Sequence, residues 1–475
     1  MPTRSPLSSP ATRRLAEQAL SRSAGAPLLG GHAVELLIDA EAHYRAWLEA
    51  IGNARRSVLL ENYIIRNDEV GRTFRAALIE RARAGVVVAV LVDWLGCLGE
   101  SGRKFWQPLR AAGGQVAIFN PPRLGQTFGW LSRDHRKLLV VDGAVGFLSG
   151  VCISAQWLGK PERKIPPWRD TGVALRGPAV ADMQAAFVQT WAETRMPVPV
   201  LDTVPETTAG NMALRLIATQ PASAGIYRLD QMIAALARKT LWLTDAYFVG
   251  TAPYVQALIA AVRDGVDVRL LVPSTSDLPL VANLSRSGYR PLLEAGVRVF
   301  EWNGSMLHAK TAVADQQWAR VGSSNLNLAS WLNNREIDVA IEDAGFAAQL
   351  AAQYQADLER STEIVLSPRK HRRAKVGGRQ ARAHHPHLDG GSSGRAATGA
   401  LRLANRMGAV LIDQRVLGPA DAALLGRGAL VLFVVAVLAW VWPTVLAWPF
   451  GVVCAWLGLN LGIRAWRERR RKPRQ

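Results

Sequence analysis

One short pattern occurs twice in this chain, and it limits the fold more than any other feature. His135-Arg136-Lys137 is followed after four residues by Asp142, and His308-Ala309-Lys310 is followed after four residues by Asp315. Each copy reads His-x-Lys-x4-Asp. On a strand, residues two apart share a face, so each His projects beside its Lys. A proton carrier or nucleophile next to a fixed cation suits an anionic phosphorus centre, where positioning and charge stabilisation carry much of the catalysis. One such triplet would read as an ordinary strand with polar residues on its wet face. Two copies with matched surroundings read as two grips on one phosphodiester. Gly322-Ser323-Ser324-Asn325 begins seven residues after Asp315, and Ser149-Gly150 begins seven after Asp142. Small-residue turns at those points can bring backbone N–H groups to a phosphate.

The repetition extends well beyond the motif. Residues 57–65 (SVLLENYII) match 240–248 (TLWLTDAYF), residues 82–94 resemble 261–274, and residues 112–120 match 295–303. The first half carries ten extra residues between Asn120 and its His. That insertion lies within residues 121–134 (PPRLGQTFGWLSRD) and brings Phe128 and Trp130. It reads as a surface loop whose aromatics pack on the domain, or as a lip of the site that dips into a lipid headgroup region. Residues 86–92 and 266–272 are near-continuous apolar runs preceded by Gly, as buried strands are. Residues 69–84 and 252–264 have apolar side chains at helical spacing. This is the strand–helix–strand layout of an α/β chain. Pro197, Pro199 and Pro205 mark a linker between halves.

At this point the chain resembles the phospholipase D (HKD) superfamily, over residues 36–365, and is closest to its bacterial cardiolipin synthase-like branch. The resemblance is carried by the two motifs and by Leu60-Glu61-Asn62-Tyr63-Ile64, Trp168-Arg169-Asp170-Thr171, Arg176-Gly177-Pro178-Ala179-Val180, residues 321–327 (VGSSNLN) and Asn334-Arg335-Glu336. It implies two duplicated phospholipase D-like halves, α/β with mixed sheets flanked by helices, at residues 28–196 and 212–366, joined by a linker at 197–211. It also implies a covalent route through phosphohistidine, with no metal and no cofactor. Carried over by position, His135 is the nucleophile and His308 the general acid/base, although the sequence itself ranks neither.

The resemblance gives the other site residues their roles. Lys137 and Lys310 hold non-bridging phosphate oxygens, with Ser324 and Asn325 adding hydrogen bonds; in the first half Ser149 or Ser154 is the substitute for an Asn that is missing there. Asp142 and Asp315 complete the catalytic motif, though their place beyond the strand favours tying down backbone N–H groups. Glu336, 28 residues after His308, orients an imidazole through its other nitrogen, and Asp170 is the candidate for the same role toward His135. Two departures stand out. Ser149-Gly150-Val151-Cys152 lacks the Asn that the second half has at Asn325, and Asn327 stands where many relatives have Asp. Cys152 is read as an inert buried thiol, since nothing nearby in sequence stabilises a thiolate. The group His384, His385 and His387 sits in a Gly/Ser-rich charged stretch and reads as solvated linker.

Charge is uneven. The chain of 475 residues has a net charge of +19, of which residues 369–475 carry +15 and residues 1–368 only +4. A nucleic-acid partner would call for a basic catalytic module, so none is expected. Residues 367–425 read as a basic flexible linker. Residues 428–463 contain no charge. As one helix they would span about 54 Å against about 30 Å of hydrocarbon. Pro443 and Pro449 interrupt them, so a membrane helical hairpin at 426–463 with a basic tail at 464–475 is expected. A re-entrant or interfacial pair is the alternative. Basic flanks on both sides and the lack of an N-terminal signal peptide place the catalytic module on the cytoplasmic face of a bacterial inner membrane. Three cysteines give no disulfide framework. The expected activity is phosphatidyl transfer forming cardiolipin from phosphatidylglycerol and a second phospholipid. The rivals are hydrolysis of phospholipid or nucleic acid on the same fold, and a non-enzymatic membrane scaffold. Nothing in the sequence fixes an oligomeric state.

Overall fold

The computed structural model describes residues 10–122, 132–201 and 207–366, together with residue 455. The basic linker, the His384 group, the Phe128/Trp130 insertion and, apart from residue 455, the charge-free stretch lie outside the described residues. Among the described residues no helix is long and apolar enough to cross a membrane.

The first half runs β1 (Leu29–Ile38), α2 (Asp39–Gly52), β2 (Ser57–Asn62), α3 (Glu69–Arg83), β3 (Val87–Asp93), α4 (Arg103–Ala111), β4 (Gln115–Phe119), β5 (Lys137–Val141), β6 (Val145–Ser149), β7 (Thr171–Arg176) and α5 (Ala179–Ala192). The second half repeats this order with β8 (Met212–Thr219), α6 (Gly225–Leu236), β9 (Thr240–Thr244), α7 (Ala252–Arg263), β10 (Asp267–Pro273), α8 (Pro279–Ser287), α9 (Tyr289–Ala295), β11 (Arg298–Trp302), β12 (Thr311–Ala314), β13 (Trp318–Gly322), β14 (Glu336–Glu342) and α10 (Ala344–Glu359). A short β15 (Ser361–Ile364) closes the series. The apolar runs at 86–92 and 266–272 form β3 and β10, and the helical patterns after Glu69 and Ala252 form α3 and α7.

Among the described residues the strands form one mixed sheet of 15, in the order β15-β11-β10-β9-β12-β13-β14-β8-β1-β7-β6-β5-β2-β3-β4. The strands of the two halves meet at β1 and β8, which pair antiparallel through Leu29–Leu214 and His32–Met212. Reading outward from that join, β8-β14-β13-β12-β9-β10-β11 repeats β1-β7-β6-β5-β2-β3-β4. The duplication is therefore a pseudo-twofold in space.

The core lies in three apolar clusters. One gathers strand residues of both halves around Met183, Phe187 and Trp191 of α5 and Phe346, Leu350 and Tyr354 of α10. The second packs α2, α3 and α4 on the first half, with Trp47, Phe74 and Trp106 buried. The third covers the second half with α6, α7 and α9. A further helix, α1 (Pro10–Ala24), precedes the expected first boundary at residue 28. Its Leu20 and Ala24 join the cluster of Ile226 and Ile233 on α6. An N-terminal segment thus buries its apolar face on the second half.

Candidate active site

In each half the central strands converge at one end. β2, β3 and β4 run parallel and finish there, whereas β5 and β7 start there. The same holds for β9, β10, β11, β12 and β14. His135 and His308 lie just before β5 and β12; Lys137 opens β5, and Lys310 immediately precedes β12.

The two ends are joined by backbone. The His135 N–H donates to the Arg335 carbonyl at 2.9 Å, and the Arg335 N–H donates to the Arg133 carbonyl at 2.9 Å. The mirror relation holds opposite. The His308 N–H donates to the Arg169 carbonyl at 2.7 Å, and the Arg169 N–H donates to the Met306 carbonyl at 3.0 Å. These short parallel bridges set each His beside the residue after the bridging Arg of the other half.

The carboxylates therefore serve across the halves. Nδ1 of His135 lies 2.9 and 3.1 Å from the two carboxylate oxygens of Glu336. Nδ1 of His308 lies 2.8 Å from Oδ2 of Asp170. The expected pairing, with Asp170 on His135 and Glu336 on the second-half His, is corrected: each carboxylate faces the His of the opposite half. The physical reason is the bridge register, which no within-half spacing reveals. An ionised carboxylate only accepts, so each Nδ1 carries the proton and each Nε2 is left with its lone pair.

Each carboxylate has its own second donor. Ser323 Oγ donates to Glu336 Oε2 at 2.6 Å. Asp170 Oδ2 accepts the indole N–H of Trp157 at 3.1 Å, and its Oδ1 accepts the Thr171 N–H at 2.8 Å. The counterpart of Ser323 in the first half is Gly150, where a Cβ would stand 2.2 Å from Asp170 Oδ1. Burial would raise the Asp170 carboxyl, but His308 and Lys310 hold it well below the usual range. For Glu336, burial is likewise outweighed by His135 and Lys137.

The lysine ammonium groups are buried. Lys137 Nζ donates to the His135 carbonyl at 2.6 Å and Lys310 Nζ donates to the His308 carbonyl. Tyr63 and Tyr247 back them, with ring centroids 5.2 and 5.8 Å from the two Nζ atoms. The same rings stand edge-on to His135 at 5.0 Å and His308 at 5.8 Å. Burial lowers both ammonium groups' affinity for protons, Lys310 down to about 8, with Lys137's charge adding to it. Burial, then Lys310, pushes His308 down to about 4, and burial also lowers His135. At neutral pH the site thus holds uncharged imidazoles beside two buried lysines, an arrangement suited to an anion.

Other sequence candidates sit differently. Asp142 and Asp315 do not reach the site. They end the strands, about 15 Å along at the usual rise, and turn at φ 55° and 53°. The Asp142 carboxylate accepts the N–H groups of Arg55, Arg56 and Ser57 at 2.7–2.9 Å. That of Asp315 accepts those of Arg238, Lys239 and Thr240 at 2.7–2.9 Å. Ser324 donates to Asp338, which leaves it no proton for a phosphate oxygen. Ser149 is fully buried and its Oγ accepts the Val151 N–H at 3.0 Å. Asn325, also buried, is the remaining candidate of the three, through its side-chain NH2, which can donate to a phosphate oxygen. Its first-half counterpart is Cys152, a buried free thiol that burial pushes up. Sequence reading assigned no role to Tyr63, Tyr247, Trp157, Ser323 or Arg136. Arg136, the middle residue of the first motif, is buried and donates to the carbonyls of Glu336, Ala186 and Thr219 at 3.1, 2.9 and 3.1 Å, tying the halves together behind Glu336.

The family model described as cardiolipin synthase, PLD-like domain matches residues 47–158 and 230–360. Cardiolipin synthase A of Pseudomonas aeruginosa is 35% identical over 378 residues, spanning 78% of this chain and 76% of the relative. Cardiolipin synthase of Alkalihalophilus pseudofirmus is 33% identical over 355 residues, spanning 73% and 70%. Among solved structures, phosphatidylserine synthase of Haemophilus influenzae Rd KW20 superposes with a TM-score of 0.56 at 15% identity, covering 74% of this chain and 92% of that one. That likeness is one of fold. With both motifs inside the matched spans, the chain belongs to the phospholipase D superfamily, in its cardiolipin synthase-like branch.

Proposed function

We propose that this chain is a phosphatidyltransferase that makes cardiolipin from phosphatidylglycerol and a second phospholipid. The crossed pairs His135–Glu336 and His308–Asp170, each beside a buried lysine, carry this reading. Its relatives named cardiolipin synthase support the choice of product.

The chemistry follows from the proton positions. The lone pair on His135 Nε2 attacks the donor phosphorus, and the bond from phosphorus to the headgroup alcohol breaks. His308, protonated at Nε2 once the anionic phosphodiester has arrived, gives that proton to the leaving alcohol. The hydroxyl of phosphatidylglycerol then passes its proton to His308 as its oxygen attacks phosphorus and the P–N bond breaks. Lys137 and Lys310 offset charge on the non-bridging oxygens, and Asn325 adds a hydrogen bond. Glu336 and Asp170 fix the tautomers and stabilise the charged ring. The charge-free stretch at 428–463 and the basic segments around it keep the enzyme at a bacterial inner membrane, with the module on the cytoplasmic side.

Lipid mass spectrometry on a host lacking its own cardiolipin synthases tests this reading. Expression of the chain restores cardiolipin. Accumulation of phosphatidic acid without cardiolipin would move it to hydrolysis.

A further inference from the structure

The loops around the site carry a surface that the reaction itself does not use. Leu95 and Leu98 follow β3, and Leu278 and Leu284 follow β10, its pseudo-twofold counterpart. Ile165 lies between β6 and β7, and Leu328 follows β13. All six side chains are exposed, Leu98 at 57%, Leu278 and Leu284 at 48% and Ile165 at 45%. Every one of these loops leaves or enters a strand at the end that holds the histidines. The Trp94 beside Leu95 follows Asp93, whose carboxylate accepts the N–H of Asp134 at 3.0 Å, one residue before His135. The rim is thus continuous with the site.

Charge accompanies the aliphatic groups. Lys160 and Ile165 pair across a tight turn that exposes Lys160, Arg163 and Lys164, with Glu162 between them. None of these three cations has an ion-pair partner among the described residues. Exposed aliphatic side chains next to unpaired cations are costly in water and match a surface with anionic headgroups above hydrocarbon. The opposite end also has cations, Arg55, Arg56, Arg238 and Lys239, but their backbone N–H groups are fastened by Asp142 and Asp315 into the strand ends.

We propose that this rim is the docking surface for an anionic phospholipid bilayer, with both halves' leucines entering the interface and the site opening onto it. The proposal rests on the phosphatidyl-transfer reading and adds which face meets the membrane. A substrate phosphate then reaches the lysines without the lipid leaving the bilayer.

Polarity-sensitive fluorophores on single cysteines test it. Leu98→Cys, Ile165→Cys and Leu284→Cys are labelled in the full-length Cys454→Ser protein, with Leu236→Cys, on the exposed C-terminal end of α6, as the site away from the rim. The proteins are reconstituted into phosphatidylcholine vesicles with or without phosphatidylglycerol. The rim probes shift to the blue with phosphatidylglycerol present and the Leu236→Cys probe does not. A shift at Leu236→Cys alone, or none at any folded rim variant, overturns the proposal. In parallel, K160E/R163E/K164E lowers turnover on vesicles by at least about a hundredfold, as the loss of three surface cations from an anionic bilayer implies, and leaves turnover of short-chain soluble lipid unchanged. An equal loss on both substrates also overturns it. Should the unsubstituted protein make no cardiolipin from either substrate, the phosphatidyl-transfer reading fails, while the probes still decide the docking face.

Discussion

Glu336 holds Nδ1 of His135 at 2.9 Å from a position 201 residues further along the chain, in the other half of the molecule. His308 and Asp170 repeat the relation at 2.8 Å with the halves exchanged. Neither half carries a complete site. Each supplies one imidazole, one lysine and the carboxylate for its neighbour, which makes folding of both halves a condition for activity.

Glu336→Gln and Asp170→Asn should each lower kcat by about 10²- to 10⁴-fold, because the amide can offer a donor to Nδ1 and favour the wrong tautomer. Steady-state turnover of folded variants measures this. Activity within a few-fold of the unsubstituted enzyme would show that the carboxylates do not orient the rings.

Asp142→Ala should act on stability and leave chemistry nearly intact. It leaves the N–H groups of Arg55, Arg56 and Ser57 without their acceptor, at a cost of about 2 kcal/mol. Thermal unfolding reports the loss, and kcat per folded molecule stays close to the original. A large fall in kcat at unchanged stability would return Asp142 to the reaction.

His43 should make the fold acid-sensitive. It is fully buried, with Nδ1 2.6 Å from the Asp39 carbonyl and Nε2 without a hydrogen-bond partner among the described residues. Burial pushes it down to about 4 from 6.5, against the raising effects of the Asp39 carbonyl and Asp170. The unfolded chain therefore binds a proton that the folded one does not, and stability falls as pH drops from 6.5 toward 4, by about 3 kcal/mol at most from this group. In denaturant titrations across that window, His43→Gln should flatten the slope. An unchanged slope would assign the acid sensitivity to other groups.

Substrate arrival should be accompanied by proton uptake. Burial and Lys310 hold His308 down to about 4, so it is neutral at pH 7, and the proposed acid role needs it charged. Calorimetry of a non-cleavable phosphodiester in buffers of different ionisation enthalpy should show uptake approaching one proton, lost in His308→Ala. Uptake unaffected by that substitution would place the acid elsewhere.

Much of the fold was readable because it is local. The buried runs of β3 and β10 and the helical spacing of α3 and α7 are visible in the residues themselves. The motifs were readable because His and Lys two apart need only a strand to share a face. The crossed carboxylates were not, since a spacing of 28 residues from His308 to Glu336 suggests partners within one half, and only the bridges at Arg169 and Arg335 show the exchange. Tyr63 and Tyr247 escaped because aligning residues 57–65 with 240–248 puts Tyr63 opposite Ala246, although both rings reach a lysine. Trp157 escaped for a related reason: it serves Asp170 where the other half uses Ser323 on Glu336. The helix α1 carries no motif, and its partner α6 lies more than 200 residues away.

The account's central claim is covalent transfer through His135 with His308 as the proton carrier. Base-quenched single turnovers of the unsubstituted enzyme with a donor phospholipid labelled in its phosphatidyl group, followed by peptide mass spectrometry, test it most directly. The account predicts a phosphatidyl adduct on the peptide containing His135, and none in His135→Ala. An adduct on His308 in the unsubstituted enzyme, or cardiolipin formed at an undiminished rate by His135→Ala, would contradict it.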